Sequence, residues 1–359
     1  MNVKRIYLSP PCVDQAERSA VEKAFGSGYV APCGPCVDEF EALLAKCAGR
    51  KHAVALSSGT AAIDLAMEEY GVDSSWTVFA PTLTFIATVG PAWHRGARLV
   101  FVDSRENGLV DMALLEEALS KEPEAKKMFV GVDLYGRCCD YNAVESLCGR
   151  FETVFVCDSA EAVGASSASR PAGSGGAIGI YSFNGNKIIT TSGGGAFLCD
   201  DPAVAARARS RSQQSREPFP WYEHKSVGYN YRMSNLLGAV GIAQIAKLPH
   251  FISRRAEIKR MYRAAGLTLL PDVPGENNWL SVAIMENSSR RDDLLDKLAS
   301  ANIEARPVWK PMHLQPVFAG CKVFGGEISE GLFASGICLP SGSGMSDDDV
   351  NRVLEVLKK

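Results

Sequence analysis

Short apolar runs alternate with helical patterns from residue 53 onward, and this alternation limits the possible folds more than any other feature of the chain. Strands separated by helices favour a parallel sheet with helices covering its faces. No internal repeat or low-complexity linker interrupts the pattern. The sequence therefore predicts an α/β fold with a mostly parallel, seven-stranded sheet, with strands at 53–56, 77–80, 98–102, 128–132, 154–157, 177–181 and 196–198.

A second, smaller α/β unit is predicted towards the C-terminus. A helix rich in small residues at 236–248 is followed by Pro249, and proline ends helices because it has no backbone N–H group. We therefore expect a large domain over residues 1–248 and a small domain over 249–359. The small residues before the proline would allow close packing, including packing against a second subunit.

Charge and composition argue against several classes of partner. The chain has 38 basic and 41 acidic residues, so it has no global attraction to nucleic acid or to anionic lipid. No stretch approaches the roughly 18 apolar residues of a membrane span, and the first residues lack the apolar core of a signal peptide. The 11 cysteines, scattered through apolar runs, indicate reduced thiols and a cytoplasmic protein.

One pair of cysteines has the spacing of a thioredoxin-type redox site, Cys33-Gly34-Pro35-Cys36. Such a site follows a strand and opens a helix. A helical pattern does follow the pair, whereas Gly28 to Pro32 before it form an irregular loop pattern. A zinc site would need two further ligands.

Polar residues follow several of the predicted strands, where ligands bind in open α/β sheets. Ser57-Ser58-Gly59-Thr60 precede a helix, and their amides and hydroxyls would form an anion site or an ordinary helix cap. Phe85 follows the second strand, where it would cover a planar cofactor or fill the core.

Two ionisable residues suggest which ligand the sheet binds. Asp158 ends an apolar strand, so it needs a partner, which would be a protonated pyridine nitrogen, an arginine or a helix N-terminus. Lys187, one strand later, lies on a polar, glycine-rich turn that would hold an amine able to reach a carbonyl carbon. We predict that Lys187 forms a Schiff base with pyridoxal phosphate (PLP); the alternative is a solvated loop lysine.

These residues occur in an order that resembles the fold-type I PLP enzymes that aminate nucleotide sugars, the DegT/StrS sugar aminotransferase family. The resemblance extends from residues 9–11 to 340–342. Within the family the chain is most similar to the UDP-4-keto-6-deoxy-N-acetylglucosamine 4-aminotransferases of bacillosamine synthesis. The segments that carry this resemblance are 29–32, 184–195, 309–313 and 336–342.

The resemblance implies a role for each matching residue. Lys187 would hold PLP and shuttle a proton, Asp158 would bind the pyridinium nitrogen, and Phe85 would stack on the ring. The phosphate would be held by Ser58, Gly59, Thr60 and Ser182, joined by Asn230 from the other subunit of a homodimer, and the nucleotide-sugar would contact Tyr29, Arg232 and His313.

Two positions depart from the family pattern. Glu161 stands at the position that contacts the ring hydroxyl, where most of the wider family has glutamine. Cys33-Gly34-Pro35-Cys36 occupy a loop that usually ends in Gly-Pro or a similar pair without flanking cysteines, and this favours a substrate loop over redox chemistry.

The implied activity is transfer of an amino group from L-glutamate to C4 of a UDP-4-keto-6-deoxy-N-acetylhexosamine. The alternatives are a 3- or 4-aminotransferase that acts on another dTDP-, GDP- or UDP-keto-sugar, and a non-catalytic PLP-binding regulator. Dehydratases of the family replace the lysine by histidine, and here the residue is Lys187. The expected partners are the two substrates and a second subunit, without a metal, nucleic acid or membrane.

Overall fold

The computed structural model describes residues 4–122 and 126–358. The strands in these ranges are β1 (His52–Leu56), β2 (Thr77–Pro81), β3 (Arg98–Val102), β4 (Lys127–Val132), β5 (Thr153–Asp158), β6 (Ser166–Ser167), β7 (Arg170–Pro171), β8 (Ile178–Ser182), β9 (Gly195–Cys199), β10 (Ser281–Ile284), β11 (Arg306–Pro307), β12 (Lys322–Phe324) and β13 (Gly336–Leu339).

The α-helices of the same ranges cover the sheets and connect their strands. They are α1 (Gln15–Gly26), α2 (Pro35–Ala48), α3 (Gly59–Glu69), α4 (Gly90–His94), α5 (Met112–Lys121), α6 (Tyr141–Arg150), α7 (Pro202–Ser212), α8 (Asn235–Ala264), α9 (Ser288–Ser300), α10 (Glu327–Ser335) and α11 (Asp347–Leu357). Aspartates cap four of these helices, because the carboxylates of Asp14, Asp111, Asp140 and Asp201 accept hydrogen bonds from amides of the first turn.

The large sheet has the strand order β1-β9-β8-β5-β4-β2-β3-β12. Every neighbouring pair is parallel except those of β9, which runs antiparallel to both β1 and β8. The sheet therefore confirms the predicted α/β fold with mostly parallel strands. In the described residues it has eight strands instead of seven, because β12 adds to the β3 edge. With three residues, β12 is too short to show a strand pattern in the sequence.

Both faces of the large sheet are covered, and the strand side chains alternate between them. On β5, Phe155 and Cys157 enter one apolar cluster while Val156 enters the other. Helices α2, α5 and α6 contribute to the first cluster, and helices α3, α4 and α7 contribute to the second. This layering leaves the carboxyl ends of the parallel strands free to carry polar residues.

Helix α8 corrects the prediction that the helix ends at Pro249. It runs without interruption over 30 residues, with Pro249 inside it. The proline removes one backbone hydrogen bond, but Leu248 and Phe251 beside it are buried in the core, and this packing holds the helix together. The division into domains at 248/249 stays a prediction.

The length of α8 also bears on the expectation that no apolar stretch is long enough to span a membrane. Of the residues described, this helix alone is long and apolar enough to cross a membrane by length and composition. Core helices of soluble proteins meet the same criterion, and α8 packs against α1 and α2.

The C-terminal part has its own sheet, β10-β13-β11, and its own apolar cluster. Ile258 from the second half of α8 lies in this cluster with Leu294 of α9 and Val350 of α11. Ile6 joins it from the N-terminal segment and pairs with Ile303. The chain's first described residues therefore pack against its last elements.

A glycine at the start of β9 is required by close backbone packing. A Cβ atom on Gly195 would lie 2.3 Å from the carbonyl carbon of Ser58 and 2.4 Å from the amide nitrogen of Gly59. We predict that Gly195→Ala lowers the free energy of unfolding by about 1–3 kcal/mol, as overpacking does. Urea denaturation of the cofactor-free protein measures this change.

Gly193→Ala is the matched control, because the nearest atom to its added Cβ is the carbonyl oxygen of Ser57 at 3.8 Å. Its unfolding free energy should stay within about 0.5 kcal/mol of wild type. Equal losses in the two variants would contradict the packing argument.

Candidate active site

A cavity of about 340 Å³ lies where β5 and β8 end and α3 begins. The structure brings eight of the predicted site residues into its wall, namely Ser58, Gly59, Thr60, Phe85, Asp158, Glu161, Ser182 and Lys187. The rule that ligands bind at the carboxyl ends of parallel strands therefore located this cavity from the sequence.

One end of the cavity offers hydrogen-bond donors that could hold an anion. Ser58 caps α3, and its hydroxyl oxygen accepts a hydrogen bond of 3.0 Å from the amide of Ala61. The first amides of a helix have no partner within it, so the start of α3 offers donors to a phosphate. Ser182 faces this helix start so closely that a Cβ on Gly59 would lie 3.0 Å from the Ser182 Cβ. Glycine therefore allows the strand end and the helix start to meet.

Asp158 is buried in the wall of the cavity. The Thr88 hydroxyl donates a 2.7 Å hydrogen bond to its Oδ2, and the Ala160 amide donates one of 3.2 Å to Oδ1. Burial raises the pKa of Asp158, and the nearby charge of Lys187 opposes that rise. Both hydrogen-bond donors are neutral, so an ionised Asp158 would be stabilised further by a cationic ligand.

Lys187 lies opposite a second buried carboxyl. Only 12% of its side chain is exposed, and its Nζ is 3.4 Å from Glu161 Oε1. The same Nζ lies 4.3 Å from the centroid of the Trp279 ring, within cation–π range. The alternative of a solvated loop lysine is therefore wrong.

Glu161 is fixed from its other side by a backbone donor. The amide of Tyr135 donates a 2.7 Å hydrogen bond to Glu161 Oε2. Burial raises the pKa of Glu161, and the charge of Lys187 opposes this. The carboxyl is therefore aimed at the lysine within the cavity.

Phe85 lies at the mouth of the cavity with 55% of its surface exposed, so it does not fill the core. Its ring is tilted by 56° against that of Trp309, with 5.3 Å between the centroids. A second cavity of about 540 Å³ shares Phe85, Asn186 and Trp309 with the first. This second cavity provides space for a larger ligand next to Lys187.

Four predicted site residues lie outside the wall of this cavity. Tyr29 is exposed, and its carbonyl accepts a 2.9 Å hydrogen bond from the Asn235 side chain. His313 is held at both ring nitrogens, at 2.6 Å from Thr82 Oγ1 and 3.0 Å from Glu330 Oε1.

The other two, Asn230 and Arg232, line a separate surface cavity together with Arg216. Asn230 is exposed. Arg232 is buried, and its Nη1 donates to Glu41 Oε1 at 2.5 Å and to the carbonyl of Ala55 at 2.9 Å. Within one chain, these two residues therefore do not reach the first cavity.

The cysteine pair has only part of the thioredoxin arrangement. Helix α2 begins at Pro35, but the preceding segment is irregular, as the sequence indicates. All 11 cysteines are free thiols. Among residues 4–122 and 126–358, no cluster of three or more His, Cys, Asp or Glu is arranged to hold a metal ion.

Sequence reasoning missed four residues that support the site: Thr88, Tyr135, Trp279 and Trp309. Thr84 and Thr88 are four residues apart after β2, and their hydroxyls lie 2.8 Å from each other. Two hydroxyls at helical spacing at a strand end were the available signal. The positions of the other three depend on contacts between distant segments, which no local pattern shows.

The fold and the cavity together define the class, a PLP-dependent aminotransferase of fold type I. The chain belongs to the DegT/DnrJ/EryC1/StrS aminotransferase family, whose model matches residues 11–358.

Individual relatives extend over almost the whole chain. EpsN of Bacillus subtilis strain 168, named as a PLP-dependent aminotransferase, is 40% identical over 99% of this chain and 95% of its own length. GDP-perosamine synthase of Caulobacter vibrioides is 32% identical over 99% of this chain and 98% of its own length. The crystal structure of the aminotransferase TlmJ from Streptoalloteichus hindustanus superposes with a TM-score of 0.92 at 28% identity, covering 98% of this chain and 97% of that one.

The residues present fit PLP. The helix start at Gly59 offers amides for a phosphate, and the exposed ring of Phe85 offers an aromatic face. The buried carboxyl of Asp158 accepts hydrogen bonds from neutral donors, so it could pair with a protonated pyridine nitrogen. Lys187 lies in the same wall, and its amine is 3.4 Å from Glu161, which also lines the cavity.

The Thr88 hydroxyl should stabilise the fold through Asp158. We predict that Thr88→Val lowers the free energy of unfolding by about 1–3 kcal/mol, because it leaves a buried acceptor without its donor. Thr88→Ser keeps the hydroxyl and should restore most of the loss. Chemical denaturation without cofactor checks both variants, and equal losses would contradict the role of the hydrogen bond.

Proposed function

We propose that this enzyme transfers an amino group from L-glutamate to the C4 keto group of a UDP-4-keto-6-deoxy-N-acetylhexosamine, giving UDP-4-amino-4,6-dideoxy-N-acetylglucosamine. The observation that carries the proposal is that the buried Asp158 and Lys187, whose side chain is only 12% exposed, lie in the wall of one cavity. When bound, PLP supplies the electron sink for both halves of such a reaction.

Within the cavity, each residue has a role that its position supports. Lys187 would hold and move a proton at Nζ, because it lies in the cavity wall with its amine close to Glu161. Asp158 would keep the pyridine nitrogen protonated, and the start of α3 with Ser182 would fix the phosphate. The cavity would thereby place the reacting carbon next to the lysine.

The proposed acceptor sugar would occupy the second cavity. It adjoins the first at Phe85 and Trp309, and Tyr7 adds a further aromatic wall. Arg306 in the same wall offers a cation to an anionic substrate. The choice of UDP and of C4 rests on the resemblance of segments 29–32, 184–195 and 309–313 to the 4-aminotransferases.

A GDP-linked keto-sugar is the second candidate. The similarity to GDP-perosamine synthase over nearly the whole chain favours it. Both candidates require the same chemistry at Lys187, so they differ only in the nucleotide and the sugar that the second cavity accepts.

We further propose a homodimer with shared active sites. Asn230 and Arg232 lie outside the first cavity of their own chain and line a surface cavity with Phe219, whose ring stacks on the exposed Trp221. Large exposed apolar side chains are typical of protein contacts. In the dimer, Asn230 would complete the partner's phosphate site.

We propose that the protein is located in the cytoplasm, because its 11 cysteines are free thiols.

The first test concerns Lys187. We predict that the wild-type protein is yellow when saturated with PLP and that Lys187→Ala loses this absorbance, because the cofactor is no longer bound covalently. Absorption spectroscopy measures the difference. A colourless wild type after addition of PLP would overturn the proposal.

The substrate is tested by incubating the wild type with L-glutamate and a panel of UDP-, GDP- and dTDP-linked keto-sugars. Mass spectrometry detects the aminated product, and NMR gives the position of the new amine. Amination of the UDP-4-keto-6-deoxy-N-acetylhexosamine in preference to the others is expected. Preference for the GDP-linked sugar would support the second candidate instead.

Shared sites predict complementation between two defective variants. Lys187→Ala and Asn230→Asp should each have little activity, the second because its added charge repels the phosphate. After subunit exchange, half of the dimers would combine the two chains and contain one intact site, which gives about a quarter of wild-type activity for a symmetric dimer. Activity that stays at the sum of the separate variants would refute shared sites.

A further inference from the structure

A buried carboxyl faces the amine of Lys187, and cofactor binding does not account for this contact. Glu161 Oε1 lies 3.4 Å from Lys187 Nζ, and only 4% of the glutamate side chain is exposed. The resemblance assigns this position to the ring hydroxyl of PLP and places glutamine there in most relatives. In this chain the position has an acidic group within reach of the reactive amine.

The surrounding backbone is arranged to hold Glu161 in this orientation. The amide of Tyr135 donates a 2.7 Å hydrogen bond to Glu161 Oε2. The backbone of Tyr135 is in the left-handed region, with φ = 53°, which a non-glycine residue rarely adopts. The Asn277 side chain donates a 3.0 Å hydrogen bond to the backbone carbonyl of Glu161. One carboxylate oxygen is thus fixed, and the other is directed at the lysine.

The charged and titratable groups around the carboxyl are few. Lys187 attracts it, while Asp158, Tyr135 and Cys338 are the other ionisable groups that interact with it electrostatically. None of these three groups is a cation. The amine of Lys187 is therefore the group with which Glu161 would exchange a proton.

The chemistry of Lys187 requires such an exchange. An ammonium group has no lone pair, so Lys187 must lose a proton before its nitrogen attacks a carbonyl carbon. In bulk water a lysine amine is almost fully protonated near neutral pH. The Lys187 side chain is only 12% exposed, so little water reaches it to take the proton.

We propose that Glu161 is the proton acceptor of Lys187. In this step the Nζ–H bond of the ammonium breaks and an O–H bond forms on Glu161 Oε1, which leaves a neutral amine and a neutral carboxyl. One proton moves, and no oxidant or reductant takes part. The inference rests on the proposed function, because it concerns how Lys187 becomes reactive towards PLP.

Burial favours this transfer. Desolvation raises the pKa of Glu161, and the nearby Asp158 raises it further, so the carboxylate is a stronger base than an exposed glutamate. Two neutral groups also avoid the cost of holding two charges in the interior. Trp279 acts in the opposite direction, since its ring attracts the ammonium form. A glutamine at position 161 would keep the contact but could not accept the proton.

The test is the rate at which the cofactor-free, full-length protein captures PLP. Stopped-flow absorbance follows the reaction between about pH 6 and 9, the range in which an ordinary lysine amine stays mostly protonated. In the wild type the rate should change by less than about threefold, because the proton has an internal acceptor. In Glu161→Gln it should fall by about tenfold for each pH unit below 9, as for an amine that loses its proton only to water.

Glu161→Asp is the conservative control, because it keeps a carboxylate at the position. It should react more slowly than the wild type but retain the shallow pH dependence. A purely structural role would lower the rate of Glu161→Gln equally at every pH. Parallel pH profiles of Glu161→Gln and the wild type would therefore overturn the inference.

A second measurement uses the wild type alone and so does not depend on the folding of any variant. An amine-acylating reagent is applied to the cofactor-free protein at several pH values, and peptide mass spectrometry reports the modification of each lysine. Labelling of Lys187 should depend less on pH than labelling of Lys121, which pairs with Glu117 on the surface. Equal pH dependence of the two lysines would contradict the proposal.

The outcomes separate the two proposals. If the wild type does not capture PLP at all, the proposed function fails. If it captures PLP and Glu161→Gln shows the wild-type pH profile, only the proton-acceptor role fails.

Discussion

Backbone pairing at Gly195 holds the site together. This residue pairs with Leu56 of β1 on one side and with Ser182 of β8 on the other. The two strands therefore end at the same level, and the helix that follows β1 starts beside Ser182. Because β9 runs antiparallel to both neighbours, its first residue lies at their carboxyl ends, and Gly193 and Gly194 just before it line the cavity. The anion-binding end of the site is thus a consequence of strand register.

The second constraint is electrostatic. Asp158, Glu161 and Lys187 lie in one cavity wall, and all three are largely shielded from water. Such groups are costly to bury unless they are paired and hydrogen-bonded. Three contacts offset this cost: the Thr88 hydroxyl donates to Asp158, the Tyr135 amide donates to Glu161, and the ring of Trp279 lies beside the Lys187 amine. These contacts come from segments on several different elements, so the acidity and basicity of the site are properties of the assembled fold.

The sequence predicted the parts of this arrangement that follow from local patterns. Strand alternation located β1 to β5, β8 and β9, and residues at strand ends led to Ser58, Asp158 and Lys187. It did not predict β12, a short strand that joins the sheet by pairing with β3, which lies far earlier in the chain. Nor did it predict that α8 continues past Pro249, which depends on the buried residues beside the proline. Trp279 and Trp309 were missed as site residues because their place in the site results from contacts with distant segments. Local patterns thus indicated which groups lie at the cavity, and tertiary packing determined what surrounds them.

The unbroken length of α8 has a mechanical consequence. At about 1.5 Å per residue its 30 residues form a rod of roughly 45 Å. At its first residue, Asn235 accepts hydrogen bonds from Cys36 and Val37 and donates one to Tyr29, so the rod is tied to the predicted substrate loop. At its other end, Ile258 and Tyr262 are packed in the C-terminal cluster. A rotation of the C-terminal part would therefore move the loop as well, because one continuous helix connects them.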